Sequence, residues 1–259
     1  MEELSIDGYK IELKTLERIS NKLLTHGKKQ ANQLRAIHRN KDYRKELTFM
    51  FFYEYNNVYW KDVSLILKLG KSNNKMYSSI ILRTSFEKWV RLGYLTKIDK
   101  ASEREKHVRY EYLRTAFVHY KMAKEDKNTG AINEFKTFYD KIRGNNDPEI
   151  QFIKKGRDLE LFPNVRSMLR KISPSFDKFY FIYQWTCEPI HGGLVHFTNQ
   201  DPNSEYRRTL MSLITITIEM IKINDLIINS VETVQKDFSK STKKLIKDCE
   251  DIFEKSRSK

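Results

Sequence analysis

All five prolines of this chain, Pro148, Pro163, Pro174, Pro189 and Pro202, lie beyond residue 147. Proline removes a backbone donor and clashes with the preceding turn, so the proline-free first half can run as long, unbroken helices. Periodicity agrees. Tyr9, Leu13, Leu16 and Leu23 recur at helical spacing, and Leu47, Phe51, Tyr55, Val58 and Leu65 mark a second amphipathic stripe. Ser72-Asn73-Asn74 offers an N-cap for a helix to about Ile98, and Ala101-Ser102 with Glu105 resembles a capping box for the next. No segment alternates with period two between hairpin turns, so strands are minor at most. The fold class expected is all-α.

Beyond residue 144 the pattern changes. Gly144-Asn145-Asn146-Asp147-Pro148, Gly156 and Phe162-Pro163-Asn164 crowd helix breakers together, which predicts shorter helices and turns. Pro174-Ser175 then opens an aromatic helix that ends at Gly192-Gly193, and TNQDPNS over 198–204 reads as a polar loop. A long helix from Ser204 to about Lys236 carries Ser212, Thr215, Glu219, Lys222, Asn229 and Glu232 on one stripe and is apolar elsewhere, as a central helix would be. The expected organisation is a single helical-bundle domain over 1–235, followed by a charged helix or tail over 236–259 anchored by Leu245, Ile246, Ile252 and Phe253.

Composition limits the function classes. With 259 residues and 39% hydrophobic content the chain can bury a real core, and its net charge of +14 favours polyanionic partners such as RNA or other nucleic acid. Two cysteines, Cys187 and Cys249, cannot build a disulfide scaffold, so a reducing, cytoplasmic compartment is expected. The opening MEELSIDGYKIELK lacks the basic and apolar regions of a signal peptide. The most apolar stretch, Leu210 to Val234, is interrupted by Glu219, Lys222 and Asp225, so no membrane span is expected. There is no Gly-rich phosphate loop, GxSxG, HExxH or paired CxxC, and neither a cofactor nor a metal is assigned.

The most informative pattern is KMYSSIILRTSFEKWVRLGYLT, residues 75 to 96. Met76, Ile80, Arg83, Glu87, Val90 and Tyr94 share one stripe, while Leu82, Phe86 and Trp89 form a second apolar face. Arg83 and Glu87 therefore stand where apolar side chains belong, near enough to pair with each other. A buried charge is costly unless paired and hydrogen-bonded, so a buried polar cluster is expected. Two roles stay open for it: organising helix packing, or forming the polar centre of a pocket.

The second constellation is FDKFYFIYQWTCEPIHGGLVHF, residues 176 to 197. It is densely aromatic, with Tyr183, Trp185 and Cys187 as candidate ligand-binding residues, Cys187 lying four residues before His191. Pro189 predicts a kink or helix end, which places His191 at a helix C-terminus where the dipole favours its cationic form. Such a histidine can cap carbonyls or act as a general acid or base. Metal binding has little behind it: His191 and His196 flank Gly-Gly near Glu188 without the spacing of a known ligand set. Cys187 among aromatics is expected to be inert as a nucleophile.

Leu82-Arg83-Thr84-Ser85-Phe86-Glu87 with Tyr94-Leu95, Arg166-Ser167-Met168-Leu169, Tyr183-Gln184-Trp185-Thr186-Cys187 and His191-Gly192 together resemble the DUF5677 family of helical proteins, over about residues 45 to 200. The resemblance implies that Arg83, Glu87 and His191 converge; Cys187 stands where that family has serine, and no activity is implied. Arg114-Thr115-Ala116-Phe117-Val118-His119 is similar to the Arg–His spacing of HEPN ribonucleases. Five residues apart on a regular helix these two side chains diverge by about 140°, so a catalytic pair there requires a helix end.

Two functions follow as expectations. One is a metal-independent ribonuclease of a bacterial stress or anti-phage system, with His191 as acid or base, Arg83 on phosphate charge and Glu87 orienting them. The alternative is a non-catalytic binding or adaptor module recognising nucleic acid, a small ligand or a protein. Trp60 and the Leu245/Phe253 tail point to a homodimer surface.

Overall fold

The computed structural model describes residues 11–39, 47–72, 74–143, 161–191, 201–231 and 236–257. Every regular element among them is helical. In chain order these are α1 (Leu13–Arg39), α2 (Leu47–Gly70), α3 (Ser78–Leu95), α4 (Ala101–Glu125), α5 (Thr129–Arg143), α6 (Val165–Ile172), α7 (Tyr180–His191), α8 (Pro202–Val231) and α9 (Lys236–Arg257). Single turns of tighter helix, Lys75–Tyr77 and Pro174–Phe179, lead into α3 and α7. None of the described helices is long and apolar enough to cross a membrane.

Four helices close the core in a cycle: α1 packs on α2, α2 on α3, α3 on α8 and α8 on α1. α4 and α5 form a hairpin whose first helix leans on α2, and α6 and α7 cover the remaining face of α3. α9 lies across α1 and α8, with Thr242, Ile246 and Cys249 buried beneath it. α8 is central, since Leu210, Leu213, Ile214, Ile216, Met220 and Ile221 are essentially inaccessible on several sides of it.

A chain of amides runs through this core. Trp60 Nε1 donates to Asn56 Oδ1 at 2.8 Å, Asn56 donates to Asn224, Asn224 Nδ2 donates to Gln30 Oε1 at 3.2 Å, and Gln30 Nε2 donates to the Ile221 carbonyl at 3.1 Å. All three amide side chains are at most 2% exposed. Nearby, Tyr59 OH and Thr217 Oγ1 are 2.9 Å apart, and burial raises the Tyr59 phenol so that it stays protonated. The network ties α1, α2 and α8 into one register.

The α2 stripe expected from the sequence holds at Phe51, which is 1% exposed, and fails towards the C-terminal end. Val58 and Leu65 are 40% and 42% exposed, while the buried edge runs through Phe52, Asn56, Tyr59, Trp60, Val63, Ile66 and Leu67. Trp60, expected on a dimer surface, is 3% exposed and fills the space beside Gly27. Two caps also differ: α3 follows a tight turn rather than an Asn cap, and α4 starts at Ala101 with Lys100 as its uncapped N-cap, so Ser102 lies inside the helix. Asp201 does cap α8, accepting from Ser204 N at 2.8 Å. Pro189 lies within α7, which continues to His191.

The α1–α2 approach is set by glycine. A Cβ on Gly27 would lie 2.0 Å from the Trp60 ring, far inside contact distance, and moving that ring would also break its bond to Asn56. Gly27→Ala is therefore expected to destabilise the chain by at least ~1–3 kcal/mol, lowering Tm by several degrees in a thermal melt, although alanine is the better helix former.

Candidate functional site

The site grows from the outer face of α3. Leu82, Phe86 and Trp89 point into the core and are fully buried, which leaves Arg83 and Glu87 on the side that α7 covers. Their side chains are 17% and 32% exposed, so the pair sits at the edge of the core and not inside it. Arg83 Nε donates to Glu87 Oε1 at 3.1 Å, Nη1 to Cys187 Sγ at 2.6 Å and Nη2 to Tyr183 OH at 3.1 Å. The guanidinium also lies over the Tyr183 ring, 4.7 Å from its centroid. Burial raises the Tyr183 phenol, an effect that the Arg83 charge partly offsets.

Four of the residues singled out in the sequence thus converge: Arg83, Glu87, Tyr183 and Cys187. Trp185 does not join them. Two residues beyond Tyr183 it projects about 200° further round α7. It is 3% exposed, with Arg208 of α8 stacked 4.4 Å from its ring centroid. His191 is the last residue of α7, and its side chain lies outside the described residues, as does all of His196. Arg114 and His119 occupy the interior of α4, without the helix end that their convergence would need. Arg114 instead grips Glu111 at 3.1 Å, while His119 stacks on Phe135 of α5 with ring centroids 5.4 Å apart. Among the described residues no group of three His, Cys, Asp or Glu side chains is placed to hold a metal ion.

Beside the cluster a cleft of about 260 Å³ opens between α3, α6 and α7, lined by Glu87, Arg91, Phe162 to Val165, Met168, Tyr180 and Tyr183. Drug-sized ligands usually occupy at least ~300 Å³, so this cleft suits one ring or one side chain. Sequence reasoning missed Arg91, which pairs with Glu111, donates to Tyr55 OH at 3.1 Å and lies over Phe162. Its spacing of four from Glu87 and eight from Arg83 was the available signal.

Stacked planes run away from the cleft. Arg83 covers Tyr183, Tyr183 stacks on Tyr180 at 5.7 Å and 20°, and Arg166 covers Tyr180 at 5.5 Å. Arg166 is fixed in turn by Asp177, to which its Nε and Nη2 donate at 2.9 and 3.0 Å. Arg170 makes the same two-pronged contact with the same two oxygens, Nε to Oδ1 at 3.0 Å and Nη2 to Oδ2 at 3.2 Å. The two guanidinium groups hold Asp177 well below the usual carboxylate range. Across this face five arginines (83, 91, 114, 166 and 170) meet three carboxylates (Glu87, Glu111 and Asp177), leaving two positive charges over.

Cys187 acts here as an acceptor for Arg83, a task serine performs equally well. Cys187→Ser is expected to stay within about 0.5 kcal/mol of wild type in a denaturant titration, whereas Cys187→Val, which leaves Nη1 without its partner, loses about 1–2 kcal/mol. No family model, no curated protein and no solved structure matches this chain, so the likenesses to the DUF5677 and HEPN families rest on the motifs quoted for them.

Proposed function

We propose that the chain is a non-catalytic binding module for single-stranded nucleic acid, and that the face formed by α3, α6 and α7 is its binding surface. One observation carries this reading. The column Arg83–Tyr183–Tyr180–Arg166 ends in a guanidinium plane that is half exposed and already held in position by Asp177. An unpaired base extends such a column by stacking on the arginine, as bases do on aromatic and guanidinium planes in single-stranded complexes. The two surplus positive charges of the face suit the adjoining phosphates, and the chain carries +14 in all. The cleft beside Glu87 supplies a carboxylate and tyrosine hydroxyls to read the amino and imino edge of a neighbouring base.

The ribonuclease expectation draws less support from this geometry. Arg83 would have to neutralise phosphate, yet its Nε, Nη1 and Nη2 each donate to a protein acceptor. Redirecting them would break the two hydrogen bonds that Arg83 makes from α3 to α7.

The test is fluorescence anisotropy of a labelled 12-nucleotide RNA against the full chain over a range of salt concentrations. Wild type is expected to bind with an affinity that falls steeply as salt rises. Arg166→Lys, which keeps the charge and loses the plane, is expected to weaken binding about tenfold with the salt slope unchanged, at the lower end of measured stacking energies. Arg166→Ala should also lower that slope by about one. Salt-insensitive binding, or equal affinity of Arg166→Lys and wild type, overturns the reading; cleavage of the RNA by wild type returns the ribonuclease to first place.

A further inference from the structure

We propose that the groove between α1 and α9, remote in sequence from the face just described, is a second binding site, for a compact polyanion carrying two or more phosphate groups. The groove is shallow and open to solvent, with a volume of about 610 Å³, and is lined by Arg18, Asn21, Lys22, Thr25, His26 and Lys29 of α1 and by Leu245 of α9. Its size falls in the range of small-ligand sites. Arg18, Lys22, His26 and Lys29 follow one another by four, four and three residues, the spacing that puts them on one face of α1.

Charge sets this groove apart from the arginine face. There, each guanidinium has a carboxylate; here, among the described residues, no carboxylate makes an ion pair with Arg18, Lys22 or Lys29. All three are exposed at the groove and free to turn towards a ligand. Like charges held along one helix face repel and destabilise it, so the arrangement is relieved by an anion bound between them. His26 senses the same field: burial and the Lys29 ammonium hold its imidazole below the ordinary value.

The polar remainder favours phosphate with a donor-bearing group attached. Asn21 Nδ2 donates to the Glu17 carbonyl at 2.8 Å and Thr25 Oγ1 to the Asn21 carbonyl at 2.9 Å, so both side-chain oxygens remain acceptors at the groove. His26 Nε2 meets Thr242 Oγ1 of α9 at 2.9 Å, so a ligand held by α1 also fastens α9. Inorganic polyphosphate and the phosphate tail of a nucleotide share the required chemistry.

The experiment titrates the full chain with sodium tripolyphosphate, adenosine triphosphate and orthophosphate, read by calorimetry and by Tm. Tripolyphosphate is expected to bind, to raise Tm in a concentration-dependent way, and to bind at least tenfold more tightly than orthophosphate. A nucleotide source is indicated if the triphosphate nucleotide exceeds tripolyphosphate, and a free polyphosphate source if it does not; either supports the site. Lys22→Ala/Lys29→Ala, both exposed positions, should abolish the Tm shift while leaving the unliganded Tm no lower than that of wild type, and Arg166→Ala should leave the shift intact. Absence of tripolyphosphate binding, or equal affinity in the double variant, overturns the proposal. So does a loss of RNA affinity in the double variant without tripolyphosphate binding to wild type, which would assign the groove to nucleic acid.

Discussion

The buried amides Gln30, Asn56 and Asn224 decide how the four core helices sit against one another. Leucine and isoleucine surfaces tolerate sliding and rotation, because burial rewards any apolar contact of the right volume. Amides do not, since each donor left unpaired in the core costs about 1–3 kcal/mol. Asn56 has to accept from Trp60 while donating to Asn224, and Gln30 has to accept from Asn224 while donating to the Ile221 carbonyl. One relative placement of α1, α2 and α8 satisfies that chain of bonds. α3 is then fixed by its packing on α2 and α8, and its outer face is presented to α7.

That order of dependence separates what the sequence made legible from what it hid. Helix existence followed from periodicity and proline placement, both of which act within a few turns. The pairing of Arg83 with Glu87 was legible for the same reason, being local to α3. Tyr183 and Cys187 were singled out from the aromatic density of their helix and the spacing to His191, and their bonds to Arg83 on α3 were not legible there. Trp185 lies away from the Arg83 cluster because aromatic density says nothing about which side of a helix a ring takes; position round the axis does. Arg170 and Asp177 were missed, and Arg166 entered only as part of a quoted motif, with no role attached. Their clamp joins α6 to the turn before α7, and nothing in either short segment announces the other.

The α2 stripe shows the same limit from the opposite side. A stripe drawn at helical spacing through Phe51 and Tyr55 takes in exposed Val58 and Leu65, although the buried face carries more apolar residues. The face that matters is broken by Asn56, whose value lies in what it bonds to on α8. Local rules therefore fail where a distant partner reverses the sign of a residue's contribution. Trp60 belongs to the same lesson, since its indole nitrogen and its ring are satisfied by two different helices.

Two glycines packed against aromatic rings of neighbouring helices carry a consequence for descent. Gly27 lies against Trp60 of α2, and Gly70 lies so close to the ring of Tyr206 on α8 that a Cβ would fall 1.8 Å from it. In each case a large ring occupies the volume a side chain would need, so the members of a pair are not independent letters. A lineage keeping this architecture changes positions 27 and 60 together, or 70 and 206 together, with the ring shrinking before the glycine gains a side chain. Such coupled substitutions outlast general similarity, and they would mark common ancestry between chains whose surfaces have otherwise diverged.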